Sequence, residues 1–211
     1  AEAPSEDRFF TETEGKEPLG VVAERQVGPS IADDIRTAAL WAVVFSLAII
    51  FLYILIRFTR WQFSLGAVAA VFHDVLIVLS LFSLLQGLMP FSLEIDQAFI
   101  AAILTVIGYS LNDTVVVFDR IREFQIYHSK RRNLFNIVNN ALNATLSRTF
   151  NTSMTTLFVL LIIFFFGGEV IRGFMFALVI GVVVGTYSSL FIATPVMIDT
   201  LSKTDRKEVK E

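Results

Sequence analysis

Five apolar runs, each long enough to cross a lipid bilayer, constrain this 211-residue chain more than any other feature. They are Ile35–Ile56, with the core AALWAVVFSLAIIFLYILI, Ser64–Leu88, about Ile95–Phe118, about Leu146–Phe166 and about Val170–Ile198. A hydrocarbon core about 30 Å thick is crossed by roughly 20 helical residues. Backbone groups in lipid must be satisfied internally, which leaves helices or a closed barrel. Barrel strands alternate over segments of about 10 residues, and these runs do not alternate. The expected fold is all-α: a polytopic transmembrane bundle of five spans over residues 35–201. Composition agrees, with 55% hydrophobic and only 18% charged residues and a mean hydropathy of +0.66. A water-soluble domain is about 25% charged, so a soluble enzyme is excluded.

The chain has no Cys, and its two His, His73 and His128, fall in different segments. No disulfide, thiolate metal site or cysteine nucleophile is therefore possible, and the two His make a poor metal site. Separately, neither enzyme activity nor a bound cofactor is expected of this chain. A net charge of −3 argues against a nucleic-acid partner. Loop charges orient the spans. Arg57 and Arg60, then Arg120, Arg122, Lys130, Arg131 and Arg132, then Lys203, Arg206, Lys207 and Lys210 fall on one side, eleven in all. The other side has GLMPFSLE and Gly167–Glu169, with Arg172 alone just inside the next span. Basic loops stay cytoplasmic, so the amino end is expected outside the cytoplasmic membrane, and residues 202–211 form a cytoplasmic tail.

Residues 1–34 are acidic and rich in turn formers, the composition of a loosely ordered segment. GVVAERQV reads as one strand, Gly28–Pro29 as a break and Ser30 as a helix cap. A lone strand is not stable, so this segment is expected to be the remnant of an extracytoplasmic domain, and the chain a C-terminal piece of a longer protein. Near residues 133–147, apolar Leu134, Ile137, Val138, Ala141 and Leu142 recur at helical spacing, with Asn133, Asn136, Asn139, Asn140 and Asn143 opposite. Two readings stay open: an amphipathic helix on the inner membrane surface, or a short helix packed under the bundle.

Ionisable residues inside the spans carry the chemistry, because each costs roughly 2.5–3.5 kcal/mol at a helix centre. Asp113 stands in GYSLNDTVVVFDRIRE, seven residues before Arg120, hence about 10 Å below the interface. Ser110, Asn112 and Thr114 make its surroundings polar, and Gly108 offers close helix approach. It reads as a carboxyl able to load and unload a proton, or as a structural link between helices. Arg148 reads as its natural partner, or as an interfacial Arg snorkelling from the start of the fourth span. In LSRTFNTSMTT, helical spacing groups Arg148 with Asn151/Thr152 and Thr155/Thr156 on a face expected to point into the bundle. Asp119, at the membrane boundary beside Arg120, reads as an ordinary interfacial ion pair, or as a relay or supporting polar residue. His73 and Asp74 are adjacent on a helix and so point about 100° apart; they read equally as proton relay or packing. Gly181-Val-Val-Val-Gly185 fits the GxxxG helix-packing pattern.

VGPSIADDI, FHDVLIV, GYSLNDTVVVFDRIRE and NNALNATLSRTFNTSMTTL together resemble the SecF protein-export membrane proteins, also found as the C-terminal half of fused SecDF in the resistance–nodulation–division superfamily. The likeness runs from about Val27 to Leu201. It implies a proton-motive-force-driven auxiliary of the Sec translocase, aiding export of unfolded preproteins. It implies as partners a SecD half, the SecYEG translocon, a YajC-like accessory protein and membrane lipids. The coupling ion would be H+, with Na+ the alternative. Asp113 and Arg148 match the family's essential intramembrane pair, and Thr152 a nearby polar residue. The five spans would be the second to sixth SecF helices. Two other classes compete. An intramembrane aspartyl protease could use Asp74 and Asp113, but Asp113 sits in SLND and not in GxGD. A passive membrane scaffold, or another transporter half of the superfamily, would use the buried charges only to register helices.

Overall fold

The computed structural model describes residues 29–127 and 134–208, with backbone alone for 29–36, 39 and 202–208. The strand expected in GVVAERQV, most of the acidic segment, Lys130, Arg131, Arg132 and the last three residues lie outside the described residues. Six α-helices follow in order: α1 (Pro29–Phe58), α2 (Trp61–Leu85), α3 (Gln97–Tyr127), α4 (Leu134–Phe166), α5 (Glu169–Ser188) and α6 (Thr194–Glu208). A π-helical turn, Ser189–Ala193, joins α5 to α6, so the two form one continuous rod. Among the described residues five helical stretches are long and apolar enough to span a membrane: Leu40–Phe58, Trp61–Leu85, Gln97–Tyr127, Leu134–Phe166 and Glu169–Leu201.

Two boundaries differ from expectation. The first helix starts at Pro29, which places Ser30 inside it and not at its cap. Proline suits the first helical turn because its missing N–H would have no partner there. The segment near 133–147 is helical but runs unbroken into the fourth span. Its apolar stripe, Ile137, Val138 and Ala141, is buried, and Val138 and Ala141 join the main core. Of the two readings, the structure favours packing against the bundle.

Two helices are central: α2 touches α1, α3, α5, α6 and the π turn, and α3 is as widely packed. The latter touches α1, α2, α4, α5 and the π turn, whereas α1 rests chiefly on α2. The α3–α5 contact is set by glycine. A Cβ on Gly181 would overlap the Val106 side chain, and one on Gly185 would stand 3.1 Å from Ser110 Cβ. The GxxxG pattern thus brings α5 onto α3. Gly66 does the same for α2 and the π turn, where a Cβ would meet the Ala193 carbonyl oxygen at 2.5 Å. Gly108, expected to admit a neighbour, faces open space.

Phenylalanines brace both ends. Phe58, Phe63 and Phe118 form one cluster, with Phe58 stacked on Phe63 at 5.1 Å and Phe118 edge-on to both. Phe82, Phe99, Phe91, Phe164 and Phe176 form the other. The segment between the clusters holds the polar residues. At the α1–α2 turn, Thr59 takes φ 59°, a left-handed conformation that disfavours β-branched residues. Its hydroxyl donates to the Phe58 carbonyl at 2.7 Å. Thr59→Gly should stabilise the bundle by about 0.5–1 kcal/mol, the relief of left-handed strain less the added unfolded-state entropy. A higher melting temperature in detergent is the expected reading; an unchanged or lower one refutes the strain.

Candidate functional site

Apolar helices place their few hydroxyls and carboxyls where neighbouring helices can satisfy them, since lipid cannot. Two polar knots result at mid-bundle. The first surrounds Asp74 of α2, which is wholly buried. Its Oδ2 accepts hydrogen bonds from Ser110 Oγ of α3 at 2.5 Å and from Ser188 Oγ of α5 at 2.7 Å. Its Oδ1 lies 3.1 Å from His73 Nδ1. The adjacent His73 and Asp74 therefore do meet, against the expectation from helical angle. Both Cα–Cβ bonds tilt toward the helix start, and Nδ1, the ring nitrogen nearer the backbone, bridges the remaining gap.

The second knot surrounds Asp113 of α3, which is 4% exposed. Ser153 Oγ of α4 donates to Asp113 Oδ2 at 3.3 Å and accepts from Thr186 Oγ1 of α5 at 2.7 Å. Among the described residues Asp113 thus has one long hydrogen bond where Asp74 has three partners. Ser153, Thr186 and Ser188 were not singled out from sequence. Serine and threonine are common in membrane helices and often bond their own backbone, so composition gives no mark of the few that reach across.

Arg148 forms no ion pair with Asp113 among the described residues. It is exposed and lines an open cleft of ≈ 330 Å³ between α3 and α4 with Val116, Asp119, Arg120, Glu123, Ala144 and Thr145. The face of α4 predicted to turn inward is likewise on the outside: Asn151, Thr152 and Thr155 are exposed, while Thr145, Thr149 and Ser153 are buried. The inward stripe is set one residue away from the expected one. Thr152 donates to the Arg148 carbonyl at 2.9 Å, and Thr155 and Thr156 to that of Thr152 at 2.8 and 3.1 Å. Hydroxyls so satisfied by their own helix need no neighbour, and the Arg148 side chain shares its cleft with those of Asp119 and Glu123.

Asn112 is exposed. Asp119 is ion-paired, as an interfacial carboxylate should be, and its partner is Arg57 of α1 at 2.9 Å. Consecutive residues on a helix diverge, so Arg120 bonds instead to Glu123, three residues on, at 2.6 Å. Arg122 donates to the Arg57 carbonyl at 3.2 Å. The ends of α1 and α3 are clamped together at the side where Arg57, Arg120 and Arg122 gather.

Five spans, glycine-seated helix contacts and two buried carboxyls linked to hydroxyls define a multi-pass membrane bundle with a polar centre. Residues 11–203 match the family described as protein export membrane protein SecD/SecF, C-terminal, and the chain belongs to that family. It is 60% identical over 179 residues to the protein translocase subunit SecF of Rhodothermus marinus, covering 85% of this chain and 58% of that protein. It is 45% identical over 180 residues to the SecF subunit of Rhodobacter capsulatus, covering 85% and 52%. The chain thus spans somewhat over half the length of these relatives. The fold is similar to a crystal structure of SecDF in a super-membrane-facing form, with a TM-score of 0.74 and 40% identity over 87% of this chain and 23% of that one.

Proposed function

We propose that this chain is the membrane part of a SecF-type subunit that works with a SecD half as a proton-motive-force-driven auxiliary of the Sec translocase. The cell would use it in the cytoplasmic membrane, with the amino end outside and the basic loops inside, to aid export of unfolded preproteins through SecYEG. A YajC-like protein would be an accessory. One observation carries this reading: Asp113, at the middle of α3, is buried with a single long hydrogen bond, to Ser153, among the described residues. A carboxyl so loosely held is free to change its charge as helices repack around it.

The mechanism follows from where the neighbours stand. Ser153 and Thr186 connect Asp113 to α4 and α5, so a proton arriving there alters a bond on which three helices meet. Arg148 stands in the cleft between α3 and α4, from where a modest movement of α4 could bring its charge toward an ionised Asp113. A proton shifts such an equilibrium only through different affinities for the two arrangements. Each proton crossing 100 mV releases about 2.3 kcal/mol, enough to bias one repacking step. The outward polar face of α4, with Arg148, Asn151 and Thr152, would be costly against lipid and suits contact with the second membrane half. Thr152, Asn112 and Asp119 would then be supporting polar residues.

The test is export by the full-length protein with its SecD half and SecYEG in inverted vesicles, after the ATP-driven stage is complete. Continued movement that a protonophore stops is the expected result. Movement undiminished by the protonophore, in sodium-free buffer, overturns the reading; protonophore resistance combined with a sodium requirement replaces H+ by Na+.

A further inference from the structure

The Asp74 knot has the parts of an exchange site of its own. Asp74 is wholly buried, and its carboxyl group bonds to Ser110, Ser188 and His73. Only His73 among these reaches the surface, with 31% of its side chain exposed. Its Nδ1 is turned to Asp74. Among the described residues no hydrogen-bonding group takes its other ring nitrogen, and the nearest ring is that of Tyr187, at 6.5 Å between centroids. His73 stands thirteenth of the 25 residues of α2, about 18 Å from the helix start, hence near the bilayer midplane. An imidazole half-exposed at that depth is expected to face protein or a water-filled cavity and not acyl chains.

We propose that His73 and Asp74 form a second proton-exchange site, in which the imidazole carries protons between the outside of this bundle and the buried carboxylate. The steps conserve protons. A neutral His73 with hydrogen on Nδ1 donates to Asp74 Oδ1. A proton from outside binds Nε2 and gives an imidazolium beside a carboxylate. The Nδ1 proton then moves to Oδ1, leaving a neutral carboxylic acid and the Nε2–H tautomer of histidine. Release runs the steps backward.

The consequence is mechanical. Hydrogen bonds to an ionised acceptor are about twice as strong as neutral ones, so loading Asp74 slackens the hold of α2 on Ser110 and Ser188. Ser188 directly precedes the π turn, against which Gly66 of α2 is packed. Single π turns inside α-helices recur at functional sites. Asp74 would thereby report its charge to the α5–α6 joint. Nearest on the packed elements are Tyr187 of α5, beside the imidazole, and, on α3, Tyr109 next to Ser110 and Asp113 one turn past it; Asp119, Arg120, Arg122, Glu123 and Tyr127 lie toward the far end of α3, and Glu169 and Arg172 at the start of α5. Further away are Tyr53 and Arg57 near the end of α1 and Asp199 on α6.

This site deepens the transport reading and rests on it for its role, but its chemistry is tested separately. The full-length protein carrying Asp113→Asn is reconstituted with its SecD half, and the protonated-carboxyl band is followed by infrared difference spectroscopy after a pH jump. A titrating band should persist in that background and vanish when Asp74→Asn is added. If Asp74→Asn fails to insert, Asp74→Glu replaces it, and the band must move to the position of a glutamic acid. His73→Gln should slow proton exchange by roughly a hundredfold, the low end of what a positioned acid–base group contributes. A band insensitive to Asp74, or an exchange rate unchanged by His73→Gln, overturns the proposal. Loss of proton-driven export with Asp113→Asn bears on the transport reading alone.

Discussion

Asp113→Asn in the full-length protein is expected to leave insertion and the bundle intact while reducing proton-coupled export to background. Asparagine has nearly the shape of aspartate, and its amide oxygen can still accept from Ser153, whose present bond is 3.3 Å long. Little packing energy is at stake, because the bond lost is a weak one. What disappears is the ability to change charge. With no differential proton affinity at this position, the proton gradient has nothing to act on. The expected readout is an unchanged melting temperature in detergent together with loss of proton flux and of the protonophore-sensitive export stage. The same variant separates the competing classes. A passive scaffold would tolerate it, because the helices would still be registered. Normal flux and export with Asp113→Asn would leave the transport reading without its working group.

Gly181→Leu is expected to have the largest effect on stability. Even a methyl group at this position would overlap the side chain of Val106, and a leucine adds three more carbons inside the contact between α3 and α5. Overpacking in a well-packed core costs about 1–3 kcal/mol, occasionally more, and this contact cannot yield sideways because Gly185 is seated against Ser110 one turn on. A cost of at least about 3 kcal/mol should lower the melting temperature sharply. Parting α3 from α5 also separates Ser110 from Ser188, so both polar knots should fail together. Gly181→Ala paired with Val106→Ala should recover much of the stability, since the second change empties the space the first one fills. A melting temperature unaffected by Gly181→Leu would mean that α5 is not held on α3 at this point.

The placement of polar side chains illustrates where sequence reading stops. Arg148, Asn151 and Thr152 form an evident polar stripe on α4, yet they lie outside, and Ser153, one residue along, reaches Asp113. A one-residue offset turns a helical side chain by about 100°, and the sequence of a single helix does not reveal which way it is turned. The rotation is decided by the neighbours: Thr145, Thr149 and Ser153 face inward on the same side as Ile137, Val138 and Ala141. Asp119 gives the same lesson. Its charge marked it as an ion-pair partner, but only the meeting of α1 with α3 selected Arg57 over the adjacent Arg120.

By itself the sequence determined the class of fold and the number of spans, because crossing a hydrocarbon layer demands unbroken apolar helices and tolerates little else. It also singled out Asp74 and Asp113, because a carboxyl within such a run is too costly to be incidental. The tertiary structure alone decided which groups these carboxyls touch. Ser110 and Ser188 come to Asp74 from 36 and 114 residues away, and Ser153 to Asp113 from 40. Contacts at those separations arise from how glycine contacts set the spacing and rotation of whole helices, a property of the assembled bundle and not of any one segment.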